Sequence, residues 1–259
     1  SVRGPVAVDG GVAVLNLRRN ERARRTVGVS LAGLDAETGE RLWIWSLGSI
    51  GALPYQQQTR AAQAILAHRG VAYAVNEIGV TGAVDIATGR PLWLRRSSGL
   101  LDQTERSTPW AVHRPIADGD AVIALTPDRA FVRRFDARTG EILAERPAAS
   151  LGSPDTLLEL GGAENGGGLI AAVGPATIAF VDRRTLGEQG RVAVSEDHGP
   201  FTGRPTVAGD RVLAPVEEGV VVIAPGSEPE LLALDGSGNL AAAQGQLVLV
   251  DDSRVRSYL

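Results

Sequence analysis

Asp35-Ala-Glu-Thr-Gly39-Glu-Arg-Leu-Trp43 is the stretch that decides the fold. It returns as Asp85-Ile-Ala-Thr-Gly89-Arg-Pro-Leu-Trp93, and again as Asp136-Ala-Arg-Thr-Gly140-Glu-Ile-Leu-Ala144, where the Trp is lost. A worn fourth copy is Asp182-Arg-Arg-Thr-Leu186-Gly187. The four Asp are 50, 51 and 46 residues apart, a spacing that marks a repeat architecture. The mechanics are those of a tight turn. Asp at its first position accepts backbone N–H bonds, Thr does so more weakly, and Gly supplies the positive φ. β-prone runs flank each copy: Val27 to Leu34 before the first and Arg41 to Trp45 after it, for example. The unit is strand–turn–strand.

A second hairpin precedes each unit. Val6 to Val14 turns at Asp9-Gly10-Gly11, and Ile65 to Tyr73 at His68-Arg69-Gly70. Pro115 to Ile123 turns at Asp118-Gly119-Asp120, Pro205 to Leu213 at Gly209-Asp210, and Leu240 to Leu249 around Gly245. Two hairpins per repeat make four antiparallel strands, within the length of a propeller blade. The fold expected is an all-β propeller with five complete blades at about 4–47, 62–96, 112–146, 156–194 and 204–235, and a three-stranded sixth at 238–259. The whole chain, 1–259, is expected to be one propeller domain, with at most one helical turn near Thr59 to His68. The missing strand of the sixth blade is supplied by the N-terminal tail, closing a ring, or the chain is a piece cut from a longer propeller; the three residues before Gly4 and the absence of Met favour the cut.

Composition agrees. The 32 Gly and 14 Pro make up roughly 18% of the chain against an ordinary ~12%. Hydrophobic residues reach 44%, which excludes a disordered chain. There is no Cys, so disulfides, thiolate nucleophiles and Cys-ligated metals are excluded. All 26 basic residues are Arg, which removes Schiff-base and P-loop lysines. A net charge of −4 with no interleaved aromatics argues against nucleic acid. The longest uncharged runs, Leu42 to Thr59 and Asn165 to Val181, are broken by Pro and Gly and do not read as membrane spans. Ser1 opens no signal segment.

The run Ala83-x-Asp85-x-x-Thr88-Gly89-x-x-x-Trp93 resembles the tryptophan-docking motif of PQQ-type (quinoprotein-like) β-propellers. Gly33 to Trp43 matches it with Gly in place of the leading Ala, and Arg134 to Ala144 keeps only Asp136, Thr139 and Gly140. The resemblance implies that Asp35, Thr38, Gly39, Trp43, Asp85, Thr88, Gly89 and Trp93 form a structural motif, each Trp packing on the neighbouring blade. Some members of this family are dehydrogenases holding pyrroloquinoline quinone and calcium on the propeller axis. Others, BamB-like, are scaffolds of outer-membrane assembly or receptor ectodomains and carry no cofactor. The adjacent Cys pair of the alcohol-dehydrogenase branch is impossible here, and none of Asn16, Asn20, Asn76, Asn165 or Asn239 matches its calcium site. No catalytic, cofactor or metal residue is therefore assigned. The resemblance implies a non-catalytic module that binds a protein partner in the periplasm or elsewhere outside the cytoplasm. The alternative is a degenerate or true quinoprotein domain with a small ligand on its axis.

Trp45 is expected on the strand face opposite Trp43, exposed to solvent or else in contact with a neighbouring domain. Arg18, Arg19, Arg22, Arg24 and Arg25 read as a solvated hairpin loop, or as a contact for an anionic partner. Glu196-Asp197-His198 reads as a polar loop, since neighbours on an extended chain point apart; His68 is expected to be exposed. The linkers Ser46 to Ala62, Ser97 to Ala111, Pro147 to Asp155 and Ser195 to Arg204 each join an outer strand to the next inner one, so they are expected on one face. Tyr55, Arg60, Arg106, Trp110, Phe201 and Arg204 within them are the residue types that anchor interfaces, and they form the candidate partner surface.

Overall fold

The computed structural model describes residues 2, 4–21, 26–51, 62–76, 78–97, 112–161, 168–194, 198–243, 245–251 and 253–258. Strand-forming runs fold locally into hairpins, and the hairpins join into antiparallel sheets in chain order. Sheet one is β1 (Ala7–Asp9), β2 (Val12–Glu21), β3 (Thr26–Asp35) and β4 (Arg41–Gly51). The short β5 (Ala62–Gln63) precedes sheet two, which is β6 (Ile65–His68), β7 (Val71–Val75), β8 (Val80–Asp85) and β9 (Pro91–Arg96). β10 (Val112–His113) precedes sheet three: β11 (Ile116–Asp118), β12 (Ala121–Leu125), β13 (Phe131–Asp136) and β14 (Ile142–Pro147). Sheet four is β15 (Thr156–Glu159), β16 (Leu169–Val173), β17 (Thr177–Asp182) and β18 (Glu188–Ala193). Sheet five is β19 (Thr206–Ala208), β20 (Arg211–Val216), β21 (Gly219–Ile223) and β22 (Glu230–Ala233). Sheet six has three strands: β23 (Asn239–Ala243), β24 (Gln246–Val250) and β25 (Val255–Tyr258). β5 and β10 add one pairing the sequence did not signal, a two-residue parallel ladder. Within Thr59 to His68 the described residues form strands at Ala62–Gln63 and Ile65–His68, and Thr59 to Ala61 lie outside the described residues.

The chain divides into two compact units: Ser1–Ser107 with Val112–Glu145, and Thr108–Ala111 with Arg146–Leu259. The first holds sheets one to three and the second sheets four to six. Middle strands such as Ala121–Leu125 and Gly219–Ile223 are buried at every residue, because both faces of the sheet are covered, so they read as unbroken apolar runs. Outer strands such as β14 alternate between exposed and half-buried.

The core lies between successive sheets. In the first unit Val14, Leu31 and Leu47 meet Ala72, Ala74 and Val84, while Tyr73, Val75 and Trp93 meet Val122, Ala124 and Phe135. In the second, Ile178 and Phe180 meet Val212, Ala214 and Ile223, and Leu213 and Val220 meet Leu240 and Leu249. Each such side chain contributes about 1.5–3 kcal/mol by leaving water. Among the described residues no helix is long and apolar enough to cross a membrane.

Candidate functional site

The four Asp turns share one hydrogen-bond plan. Asp35 Oδ1 accepts from the backbone N–H of Thr38 (2.7 Å) and Glu37 (3.0 Å) and from the Thr38 hydroxyl (2.9 Å). Thr38 Oγ1 then accepts from the Glu40 N–H at 3.2 Å. Asp85 with Thr88, Asp136 with Thr139 and Asp182 with Thr185 repeat the backbone and hydroxyl bonds at 2.6–2.9 Å. These bonds favour the charged carboxylate. The Thr38 N–H holds Asp35 below the usual carboxylate range, the Thr88 hydroxyl does so for Asp85, the Thr139 N–H for Asp136 and the Thr185 hydroxyl for Asp182. A related turn, between β24 and β25, has no counterpart in the repeat. Asp251 accepts from Ser253 N–H, Ser253 hydroxyl and Arg254 N–H, and the Ser253 N–H foremost brings its pKa to about 2. Its Ser follows the Asp by two residues, not the three that separate Asp from Thr in the repeat, and no Gly follows.

The second and third turns seat tryptophans of the preceding sheet. The Trp43 indole N–H donates to the Ile86 carbonyl at 2.8 Å, and Trp93 to the Ala137 carbonyl at 3.0 Å. Trp43 lies over Gly89 and Trp93 over Gly140, and a Cβ at either glycine would fall 2.4–2.5 Å from the ring. Gly33 is cross-strand from Trp43, and a Cβ there would lie 2.2 Å from Cε2, which explains why the leading Ala of the motif is Gly in this copy. At the fourth turn Leu186 stands at the glycine position with φ +57°, fully buried.

Trp45 corrects the expectation of an exposed residue on the opposite face. Residues i and i+2 share a strand face, and β4 is regular from Trp43 to Trp45, so both indoles pack toward the core between sheets one and two. Gly82 leaves room for the Trp45 ring, 3.2 Å from where its Cβ would be. Arg18 is likewise not a solvated loop residue. It lies within the ten-residue β2 on the face of Val12, Val14 and Asn16 and is only 5% exposed, whereas Arg19 is exposed. Arg22, Arg24 and Arg25 lie outside the described residues. His68 is half-buried rather than exposed, with Nε2 turned inward.

Two turn sets define the ends of each sheet in the first unit. The first hairpin turn accepts a backbone bond from the Asp turn: Ala36 N–H to Gly11, Ile86 N–H to Gly70 and Ala137 N–H to Asp120. These form a turn rim. The described middle hairpins, and the strand ends that lead into the linkers, therefore lie at the opposite ends of these sheets, the linker rim. There Asn76 caps its own turn, Oδ1 accepting from Ile78 and Val80 N–H at 3.2 Å.

Of the candidate partner surface, Tyr55, Arg60, Arg106 and Trp110 lie outside the described residues. Arg204 is exposed. Its N–H donates to Asn239 Oδ1 at 2.9 Å, its carbonyl accepts from Leu240, and partial burial lowers its guanidinium pKa. Phe201 is not a surface anchor. It is 7% exposed and packs in the core with Phe180 and Val216, because its linker turns inward to cover the sheet ends. Leu151, in the short 3-10 turn Ala148–Leu151, is buried in the same way.

Among the described residues no three His, Asp or Glu side chains gather, and the carboxamide oxygens of Asn76 and Asn239 accept from backbone N–H groups.

Among solved structures the chain is similar to BamB from Moraxella catarrhalis, with 18% identity over 99% of this chain and 84% of that one, and a TM-score of 0.62. It is also similar to the quinohemoprotein alcohol dehydrogenase ADHIIG from Pseudomonas putida HK5 (13% identity, 95% of this chain and 55% of that one, TM-score 0.56). A europium-containing methanol dehydrogenase matches at 13% identity, over 87% of this chain and 50% of that one, with a TM-score of 0.53. These likenesses show the β-propeller fold alone. No curated protein sequence matches at a significant level. The profile of the family described as outer membrane protein assembly factor BamB matches residues 1–146, more than half of the chain. On that match, and on blades that repeat the docking turn, this chain belongs to the BamB family of PQQ-type β-propellers.

Proposed function

We propose that this chain is a non-catalytic scaffold propeller that binds a protein partner outside the cytoplasm, in the periplasm or an equivalent compartment. The observation that carries this reading is membership of a family described as an assembly factor. The candidate partner residues are assigned to the linkers of each unit by itself, Tyr55, Arg60 and Arg106 in the first and Trp110 and Arg204 in the second. The turn rim of the first unit is committed to its own hydrogen bonds, whereas the linkers Ser46 to Ala62 and Ser97 to Ala111 are long and carry aromatic and guanidinium groups, the residue types that dominate interface energies.

A photocrosslinker at position 55 or 110 tests this in the intact protein. The partner should be captured as one discrete species, and Tyr55→Ala combined with Trp110→Ala should weaken its binding by about tenfold or more without lowering the melting temperature. Unchanged binding in the double variant overturns the surface. Calcium-dependent dye reduction on reconstitution with the quinone overturns the non-catalytic reading.

A further inference from the structure

Sheet one differs from its neighbour in length. β2, β3 and β4 run for 10, 10 and 11 residues, against 5, 6 and 6 for β7, β8 and β9 of sheet two. The two sheets start level at the turn rim, where Asp9 accepts from Gly70 N–H at 2.9 Å. The additional residues therefore project at the linker rim, by roughly 15 Å at ~3.3 Å per residue. This arm is seated on one face. Val27 and Val29 are buried there with Leu47, and a Cβ at Gly48 would lie 3.3 Å from Ile78 Cδ1 of sheet two. Arg18 is on the same face, its Nε donating to Asn20 Oδ1 at 3.3 Å. A seated arm loses less freedom on binding than a free hairpin would.

The other face of the arm is polar. Cross-strand pairing sets Arg19, Gly28 and Ser49 in one row and Leu17, Ser30 and Ser46 in the next. Arg19, Ser46 and Ser49 are exposed, and Arg19 has no carboxylate partner among the described residues. The β2–β3 connection, residues 22–25, lies outside the described residues; its sequence adds Arg22, Arg24 and Arg25. From Asn16 to Leu34 the single acid is Glu21. The linker Ser46 to Ala62, which leaves the same sheet through β4, carries Arg60 and no acid. A chain with a net charge of −4 thus places 5 of its 26 basic residues within residues 18–25.

Guanidinium groups pair with carboxylates and phosphates through parallel N–H bonds. Residues 18–25 hold no aromatic to stack on a base and no large apolar side chain to enter a bilayer interface, which argues against nucleic acid and lipid. The family's description as an assembly factor favours a protein. We propose that this arm docks an acidic segment of the partner protein, whose Asp or Glu side chains pair with Arg19 and with the arginines of the connection. The proposal rests on the partner-binding reading and names the chemistry of that partner.

The test uses the intact protein and a fluorescein-labelled peptide of alternating Glu and Ser, read by anisotropy. Saturable binding is expected, and it should weaken as salt rises from about 0.05 to 0.5 M, because exposed pairs are screened. Arg19→Ser, Arg22→Ser, Arg24→Ser and Arg25→Ser together should weaken it by at least about tenfold. Removing as many charges at the Asp turns, by Arg41→Ser, Arg90→Ser, Arg138→Ser and Arg184→Ser, should leave it within about twofold, which separates a site from net charge. Melting temperature reports folding for both variants. No saturation by about 1 mM overturns the proposal, as do equal binding to the folded arm variant and equal loss in the two variants. Tighter arm-dependent binding to phosphatidylglycerol vesicles than to the peptide overturns it in favour of a lipid surface. Photocrosslinked capture at position 55 separates this from the linker reading. Capture by the arm variant equal to that by the parent overturns acidic docking alone; arm-dependent peptide binding without any capture supports the arm and overturns the linker surface alone.

Discussion

The indole of Trp43 occupies the space that a side chain at position 89 would need: a Cβ built on Gly89 lies 2.4 Å from Cγ of the ring. Trp93 and Gly140 repeat the relationship at 2.5 Å. Glycine is demanded twice over at these turns, by the ring above it and by φ values of +70° and +68°. One residue thus ties turn chemistry within a blade to packing between blades.

Gly89→Ala should destabilise the protein by about 2–4 kcal/mol, the sum of overpacking against the indole and a side chain at positive φ. Adding Trp43→Ala removes the clash but not the backbone strain. The double variant should therefore lose less than the two single losses added together. Urea denaturation of the four proteins of the cycle measures this coupling, and strict additivity would falsify the steric account.

The two tryptophans should not be equivalent. Trp93 is 7% exposed and stacks on Phe135 with centroids 5.6 Å apart and planes at 28°. Trp43 is only half-buried. Trp93→Ala should cost about 3–5 kcal/mol and Trp43→Ala clearly less. Trp93→Phe keeps most of the stacking but leaves the Ala137 carbonyl without its donor, a loss of about 1–3 kcal/mol. Denaturant midpoints that rank Trp43→Ala above Trp93→Ala in cost would overturn this order.

The blade repeat was legible because its turn chemistry is local: Asp, Thr and Gly make their bonds within five residues, and a fixed spacing exposes them. What was not legible depends on distant packing. Leu151 and Phe201 are apolar residues without periodicity in polar linkers, and nothing in their neighbourhood says that the linker turns inward. Trp45 was legible and misread, since the two-residue period of a strand puts it beside Trp43. Arg18 reads as solvent-exposed by type, but β2 runs on to Glu21 and carries it along the buried face of Val12 and Val14. Of the candidate partner surface, only the type and spacing of its residues could be read, because interface chemistry leaves no local turn or period.

The Asp turns make acid the natural denaturant. Each folded-state pKa is depressed by hydrogen bonds to the carboxylate, so the contribution is present above the unfolded value of about 3.9 and is lost as pH falls through the folded values. Asp251, at about 2, marks the lower end of that window. The melting temperature should hold above about pH 5 and fall between about pH 4 and 2. Combining Asp85→Asn, Asp136→Asn and Asp182→Asn should lower stability at neutral pH and flatten the acid fall. An acid profile as steep as that of the parent protein would show that other carboxylates control it.

Leu186 sets two effects against each other. At φ +57° it holds a conformation that costs an L-residue about 1–2 kcal/mol, and glycine would relieve it. Its N–H bond to the Asp182 carbonyl, at 2.9 Å, closes the turn whichever residue stands there. The side chain is fully buried, and removing a buried Leu costs about 2–5 kcal/mol. Glycine also loosens the unfolded chain by about 0.5–1 kcal/mol. Packing should win: Leu186→Gly is expected to destabilise by about 1–4 kcal/mol even though it restores the glycine of the other turns. Leu186→Met keeps the volume and the strain, and should stay within about 1.5 kcal/mol of the parent. Thermal melts of the two variants decide between the effects. A Leu186→Gly protein as stable as the parent would mean that backbone strain, not burial, governs the fourth turn.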